Sequence, residues 1–261
     1  MPKILHMTDL HIDDFPENLS EMAEQIKGMD VDVFLIGGDN GGDQGITGIV
    51  RLLKKTYPEA AIAWVMGNHD LWGNPVDHLW RDDRHSHVDA CYLERGNLEL
   101  KICTVVGTYG HYDYSGGDPT IPHEIYEQYR FDDLGWNDHH IIRGHRTNPE
   151  IARDLANRFA LRYRRALIRG LPIVVLMHTL PFVELNAWER NFYGAYGTNG
   201  LIGNEILTHD TKPIALFCGH THNPICVDTF GFPMINTGSD YNRVRITTFH
   251  FPAETGPQHG T

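Results

Sequence analysis

Five short apolar runs, residues 3–7, 31–36, 60–66, 173–177 and 214–218, each end in a turn that carries a carboxylate, an amide or an imidazole. The turns are Asp9-Leu10-His11, Gly38-Asp39, Gly67-Asn68-His69-Asp70, His178 directly after Met177, and Gly219-His220-Thr221-His222. Runs of this length that are apolar nearly throughout read as strands buried on both faces. Between the first three lie helical periodicities: Leu19, Met22, Ile26 and Met29, then Ile46, Ile49, Val50 and Leu53 ending before Pro58. Strand and helix in alternation predict a parallel α/β sheet. Sheets of that kind bind ligands beyond the carboxyl ends of their strands, which is where the five polar turns fall.

The middle of the chain reads differently. Residues 71–144 are rich in His, Asp, Tyr and Gly, with one strand expected at 98–106. An elaborated insert over or beside the site is therefore expected at about residues 108–170, within a single domain spanning 1–251. Thr147-Asn148-Pro149-Glu150 has the form of a capping box, or of an Asn cap with Pro at the first helical position. The helix that follows keeps Ile151, Leu155, Phe159, Tyr163, Ala166 and Leu167 on an apolar stripe, and its five arginines from Arg153 to Arg165 mostly face elsewhere, as a solvated face rather than a binding patch. Residues 225–229, 232–236 and 244–251 carry strand signals separated by turns, which favours antiparallel pairing. A disordered tail is expected at 252–261.

A formal charge of −12 argues against a surface that binds nucleic acid phosphates without specificity. A small anionic substrate would need local positive charge, which bound divalent cations supply inside an acidic protein. Cys91, Cys103, Cys218 and Cys226 form no C-x-x-C pair and read as reduced packing residues, so a cytoplasmic location is expected. With the first strand starting at Lys3 no removable signal sequence is expected, and no apolar run is long enough to read as a membrane-spanning helix.

Asp9 and His11, two apart on an extended chain, would point to one side and grip one ion. Asp39, leaving a strand among glycines, could bridge two ions with its two oxygens. With Asn68, His178, His220 and His222 the set offers N and O ligands suited to Mn, Fe, Zn or Ni. Each piece also has an ordinary structural explanation: a tight turn at Asp39, turn caps at Asn68 and Asp70, a packed His6, helix-entry acids at Asp13 and Asp14. Those explanations account for each turn and not for one ligand chemistry shared by all five.

The order Asp-x-His, Gly-Asp, Gly-Asn-His-Asp, His, Gly-His-x-His across residues 9–222 resembles that of the calcineurin-like metallophosphoesterases. The resemblance implies a four-layer α/β/β/α sandwich of two mixed sheets flanked by helices. It further implies that Asp9, His11 and His222 hold one ion, that Asn68, His178 and His220 hold the other, and that Asp39 bridges them. A hydroxide shared by the two ions would then attack phosphorus. His69 would protonate the leaving group or stabilise the transferring phosphoryl, with Asp70 orienting its ring and raising its pKa. One departure is visible: family members usually carry a second aspartate three residues after the bridging one, whereas Asp43 stands four on.

The Gly-Asn-His-Asp spelling and the closing Gly-His-Thr-His resemble the branch that contains cyclic nucleotide phosphodiesterases and related small bacterial enzymes. A small nucleotide-like phosphodiester or phosphomonoester is the expected substrate, with nucleic acid and membrane not expected as partners. A protein serine/threonine phosphatase and a non-catalytic scaffold of the same fold are the alternatives. Substrate contacts are expected from the inserts: Tyr109, His111, Tyr112 and Tyr114 in 107–117, Arg143 and His145, and residues 188–196 with Trp188 and Arg190.

Overall fold

Side chains alternate across a strand, so a strand apolar at every position must be covered twice. The computed structural model, which describes residues 2–81, 89–188 and 190–251, achieves this with two sheets packed face to face. The first half supplies β1 (Lys3–Met7), α1 (Glu17–Ile26), β2 (Val33–Ile36), α2 (Gly42–Thr56), β3 (Ala61–Trp64), α3 (His78–Arg81) and β4 (Cys91–Tyr92). β1 to β4 are parallel neighbours in that order. A second sheet follows from β5 (Leu98–Glu99), β6 (Thr104–Thr108), β9 (Ile173–Met177), β10 (Ala215–Cys218), β11 (Ile225–Val227) and β12 (Met234–Asn236), in spatial order β11-β12-β10-β9-β6-β5. α4 (His123–Tyr126) and the ribbon of β7 (Arg130–Phe131) and β8 (Leu134–Gly135) lie in the insert, and α5 (Asn148–Arg169) and α6 (Gly200–Thr208) pack on the second sheet.

The alternation divides the apolar residues among three interior layers. Val33, Leu35, Ala63, Val174, Leu176 and Phe217 meet between the sheets. Phe34, Ile36, Ile62 and Trp64 face outward onto Met22, Ile26, Ile49 and Leu53 of the first two helices. Val175, Met177 and Leu216 face the opposite way onto Phe159, Tyr163, Ile202 and Ile206. The architecture is the α/β/β/α sandwich. A fourth cluster, with Tyr112, Tyr114, Tyr126, Tyr129, Phe192 and Tyr196, holds the insert together.

Several elements differ from the sequence expectation. The strand expected at 98–106 is the hairpin β5–β6, because Glu99, Lys101 and Ile102 are exposed and the Leu100 N–H closes a turn onto the Cys103 carbonyl at 2.9 Å. β11 and β12 pair antiparallel as expected, but β12 also runs parallel to β10. β13 (Thr247–His250) leaves for the other sheet, antiparallel to β1; there Phe249 and Phe251 join the inter-sheet layer beside Phe217. The helix α5 starts with the capping box, Thr147 and Glu150 bonding reciprocally, so Asn148 is not the cap. Of the arginines on α5, Arg162 is buried against Glu94, with Nη2 to Oε2 at 3.2 Å. The acid in the first turn of α1 is Glu17, while Asp13 and Asp14 are exposed in the turn before it. No helix among the described residues is long and apolar enough to cross a membrane. The expected tail at 252–261 lies outside the described residues.

Candidate metal centre

The polar turns gather at the carboxyl ends of β1, β2, β3, β9 and β10, and they do so in strained backbone. Asp9 (φ 56°), His11 (φ 42°), Asp39 (φ 51°), His220 (φ 72°) and His222 (φ 52°) all adopt the left-handed region, at roughly 1–2 kcal/mol each for a residue with a Cβ. Such strain persists only where the surroundings impose it, and it clusters at functional sites. Here neighbouring turns hold one another. The Asp9 N–H donates to Gly38 O at 3.0 Å and the His11 N–H to Asp39 O at 2.9 Å; the His220 N–H donates to the Asp9 carboxylate at 3.0 Å. Asp9 and His11 therefore converge through left-handed turns beyond the end of β1, not along an extended chain. Gly67 allows a close approach: a Cβ there would lie 2.0 Å from Asp39 Oδ1.

All seven expected ligands come together. Asp9, His11 and His222 form one group of ligand atoms within 4.8 Å of one another, and Asp39, His178 and His220 form a second. Asp39 Oδ2 lies 3.9 Å from His11 Nε2 and 3.3 Å from His178 Nε2, so one oxygen faces both groups. Asn68 Oδ1 lies 2.9 Å from both His178 Nε2 and His220 Nδ1. The far nitrogens of these two rings are taken by carbonyls, His178 Nδ1 by Gly37 O at 2.8 Å and His220 Nε2 by Tyr196 O at 2.9 Å. A carbonyl only accepts, so each bond turns the ring's other nitrogen toward the centre, as outer partners of metal-bound histidines do.

Electrostatics agree with the geometry. Burial pushes His11 down to about 4 and His220 down to about 3, which keeps their lone pairs free. Burial also opposes charge on His178, but the Asp39 and then the Asp9 carboxylates outweigh it and carry it up to about 9. Burial raises Asp9, whereas the imidazoles of His178 and His69 overcome burial at Asp39 and hold it well below its usual range. In the absence of an ion His178 takes up a proton against the buried Asp39 charge, and a bound cation would replace that proton and leave the imidazole lone pairs free; nitrogen with carboxylate and amide oxygen is the donor chemistry of first-row transition metals. The residues present fit two such ions.

His69 and Asp70 part company. The His69 N–H donates to Asp39 Oδ1 at 2.9 Å, and its ring stacks on Trp72 at 3.9 Å and meets the His11 ring edge-on at 4.8 Å. Asp70 does not orient that ring. Its carboxylate accepts backbone N–H groups from Gly67 and Asp39 at 2.9 Å, Gly42 at 2.8 Å and Asn40 at 3.2 Å. It clamps the turn bearing Asp39 to the turn bearing Asn68, with burial and the Asp39 charge pushing its own carboxyl up to about 6. Asp43 sits in the first turn of α2. His6 is packed, 2.7 Å from Thr237 Oγ1, and pushed down to about 3 by burial.

A cleft of about 260 Å³ opens over Asp39, Asn68, His69, His220 and His222, walled by Trp136, Trp188 and Tyr241. Of the residues expected to touch substrate, Trp188 lines it. Tyr109, His111, Tyr112 and Tyr114 are buried packing residues, His111 being pinned by Asn148 Oδ1 at 2.8 Å. Arg143 bonds Glu127 at 2.5 Å and lies over the Tyr129 ring; His145 borders a separate surface depression, and Arg190 is exposed outside the cleft lining. Sequence reasoning missed Trp136, Tyr241 and the buried Asp138. Trp136 and Asp138 lie two apart in a segment read as loop, and only that local pairing of indole and acid could have signalled them.

Comparison with known proteins follows the same lines. A phosphopantetheinyl hydrolase from Mycobacterium tuberculosis superposes with a TM-score of 0.72 at 16% identity, covering 100% of this chain and 98% of that one. The protein TT1561 of Thermus thermophilus gives 0.55 at 13% identity, covering 95% and 98%. These are likenesses of fold. No match was found among curated protein sequences. The profile of the family described as calcineurin-like phosphoesterase matches residues 2–224, and by that match over most of its length the chain belongs to the calcineurin-like phosphoesterases.

Proposed function

We propose that this chain hydrolyses a small phosphate ester, monoester or diester, using two transition-metal ions among Mn, Fe, Zn and Ni. Family membership implies a hydrolase of phosphate esters; the rest is inferred from the site. Asp9, His11 and His222 would hold one ion, Asn68, His178 and His220 the other, with Asp39 shared. The observation that carries this is the single Asp39 oxygen facing both His11 and His178. Bound there, the ions would supply a water of lowered pKa and neutralise the phosphoryl oxygens.

The chain's own groups do the remainder. His69 lines the cleft beside Asp39, with Trp72 stacked on its ring, and donates a proton to the departing oxygen. Trp136, Trp188 and Tyr241 exclude water and offer flat apolar faces to the organic arm, which favours a nucleotide-like ester. A cleft of about 260 Å³ walled by three aromatic side chains suits a small ester better than a phosphoprotein, and the complete ligand set disfavours a scaffold. Free cysteines among the described residues suit a reducing compartment, and the proposal places the enzyme in the cytoplasm.

The test is a panel of p-nitrophenyl phosphate, its bis ester, cyclic nucleotides and a phosphopantetheine diester, run with Mn²⁺, Fe²⁺, Zn²⁺ and Ni²⁺. The diester belongs there because the Mycobacterium relative is described as a phosphopantetheinyl hydrolase. Turnover of none of them with any metal overturns the reading. His69→Gln should keep metal and lose rate mainly on poor leaving groups, and equal losses across leaving groups would rule out the acid role.

A further inference from the structure

Asp138 lies in the turn Asn137–His140 of the insert, 1% exposed, and its carboxylate accepts from four side chains. Oδ1 takes the Asn68 Nδ2 at 2.9 Å and the Trp72 Nε1 at 2.7 Å. Oδ2 takes the Trp136 Nε1 at 2.8 Å and the Tyr112 hydroxyl at 3.1 Å. Two of these donors, Asn68 and Trp136, line the cleft, and a third, Trp72, backs a residue that does. Asn68 turns its oxygen to His178 and His220, Trp72 stacks on His69, and Trp136 stands as a wall with its ring 5.9 Å from that of His220.

An amide has one end that accepts and one that donates. Only the oxygen can serve as a metal ligand, and the Asn68 backbone alone does not select which end faces the imidazoles. A carboxylate cannot donate, so Asp138 forces the Asn68 nitrogen toward itself and the oxygen toward the centre. Its remaining lone pairs hold two indoles whose N–H groups have no other role in the cleft.

We propose that Asp138 is a positioning residue: it sets the Asn68 amide for metal binding and ties that ligand to the Trp136 wall of the cleft and to the Trp72 ring that backs His69. The inference rests on the metal-centre reading in that Asn68 must hold an ion. It requires no particular substrate.

The test titrates Mn²⁺ calorimetrically into metal-free protein and counts bound Mn²⁺ after gel filtration, for wild type, Asp138→Asn, Asn68→Asp and the double variant. Asp138→Asn can offer an N–H2 to residue 68, which lets the Asn68 amide reverse; affinity at one of two Mn²⁺ sites should fall about tenfold or more, the other staying as in wild type. Asn68→Asp sets two buried carboxylates against each other and should weaken the same site. The double variant restores a donor facing an acceptor, with the charge moved to residue 68, and should regain the second ion over both single variants. Asp138→Asn binding both ions as wild type, or a double variant no better than Asn68→Asp, overturns the inference; the second comparison decides if Asp138→Asn fails to fold. Wild type that binds Mn²⁺ but turns over no ester refutes the proposed function and leaves the positioning role standing. Wild type that binds no Mn²⁺ refutes both.

Discussion

Arg162→Met removes a buried cation that joins α5 to the end of the second sheet. Arg162 donates to Glu94 Oε2 at 3.2 Å and to the carbonyls of Glu94 and Gly107 at 3.0 Å. Its side chain is 10% exposed and that of Glu94 is 1% exposed. Methionine fills the stem volume but leaves a carboxylate with only the Thr108 hydroxyl and the Tyr109 N–H as donors. Removing one partner of such a pair costs about 3–5 kcal/mol, against a total of roughly 5–15 kcal/mol for a domain. The loss should reach the metal centre, because the Tyr109 carbonyl accepts the N–H of Thr179, the residue after His178, at 3.1 Å. Urea unfolding at pH 7.5 measures it. The same scan on Arg162→Met with Glu94→Gln removes the orphaned charge while keeping an acceptor for Tyr109, and should recover at least about 1 kcal/mol relative to additivity. A single variant within about 1 kcal/mol of wild type, or strictly additive effects, would refute the reasoning.

Asp70→Ala should lose metal loading and slow good and poor leaving groups alike, since four backbone N–H groups lose their acceptor; selective loss on poor leaving groups in an aryl phosphate series would restore a role through His69. Among the four free cysteines only Cys226 is exposed, and burial pushes Cys91 up to about 11 and Cys103 to about 12. One thiol should react fast with Ellman's reagent in native protein, and two fast thiols would contradict this burial. Burial also pushes His111 down to about 3, so the unfolded chain takes up its proton first as pH falls below about 6.5. Stability should therefore decline from pH 6.5 toward 3, His111 contributing up to about 1.4 kcal/mol per pH unit. A His111→Gln variant should show a flatter dependence in urea scans between pH 7 and 5, and an unchanged slope would refute the assignment.

Much of the fold was legible because it is local. Apolar runs covered on both faces, helical periodicity at Ile46, Ile49 and Leu53, and the Thr147–Glu150 capping box are patterns within one turn or one strand, and the structure realises them. The antiparallel strand β13 is legible as a strand, but its partner β1 lies at the other end of the chain, and strand signals carry no partner identity. Arg162 reads as solvated by its residue type, although it stands three residues after Phe159 and seven after Leu155 on the buried side of α5; its partner Glu94, 68 residues away, is what lets a charge sit there.

The candidate site divides along the same line. Which residue chemistry ends each strand, and that glycines stand beside Asp39 and Asn68, follow from the sequence alone, since both are matters of residue type and adjacent backbone. What Asp70 bonds, what wall Trp136 forms, and that Asp138 orients an amide 70 residues away were decided by tertiary structure. A side chain's chemistry is local, but its role depends on the atoms packed around it, and those come from the other strands and the insert.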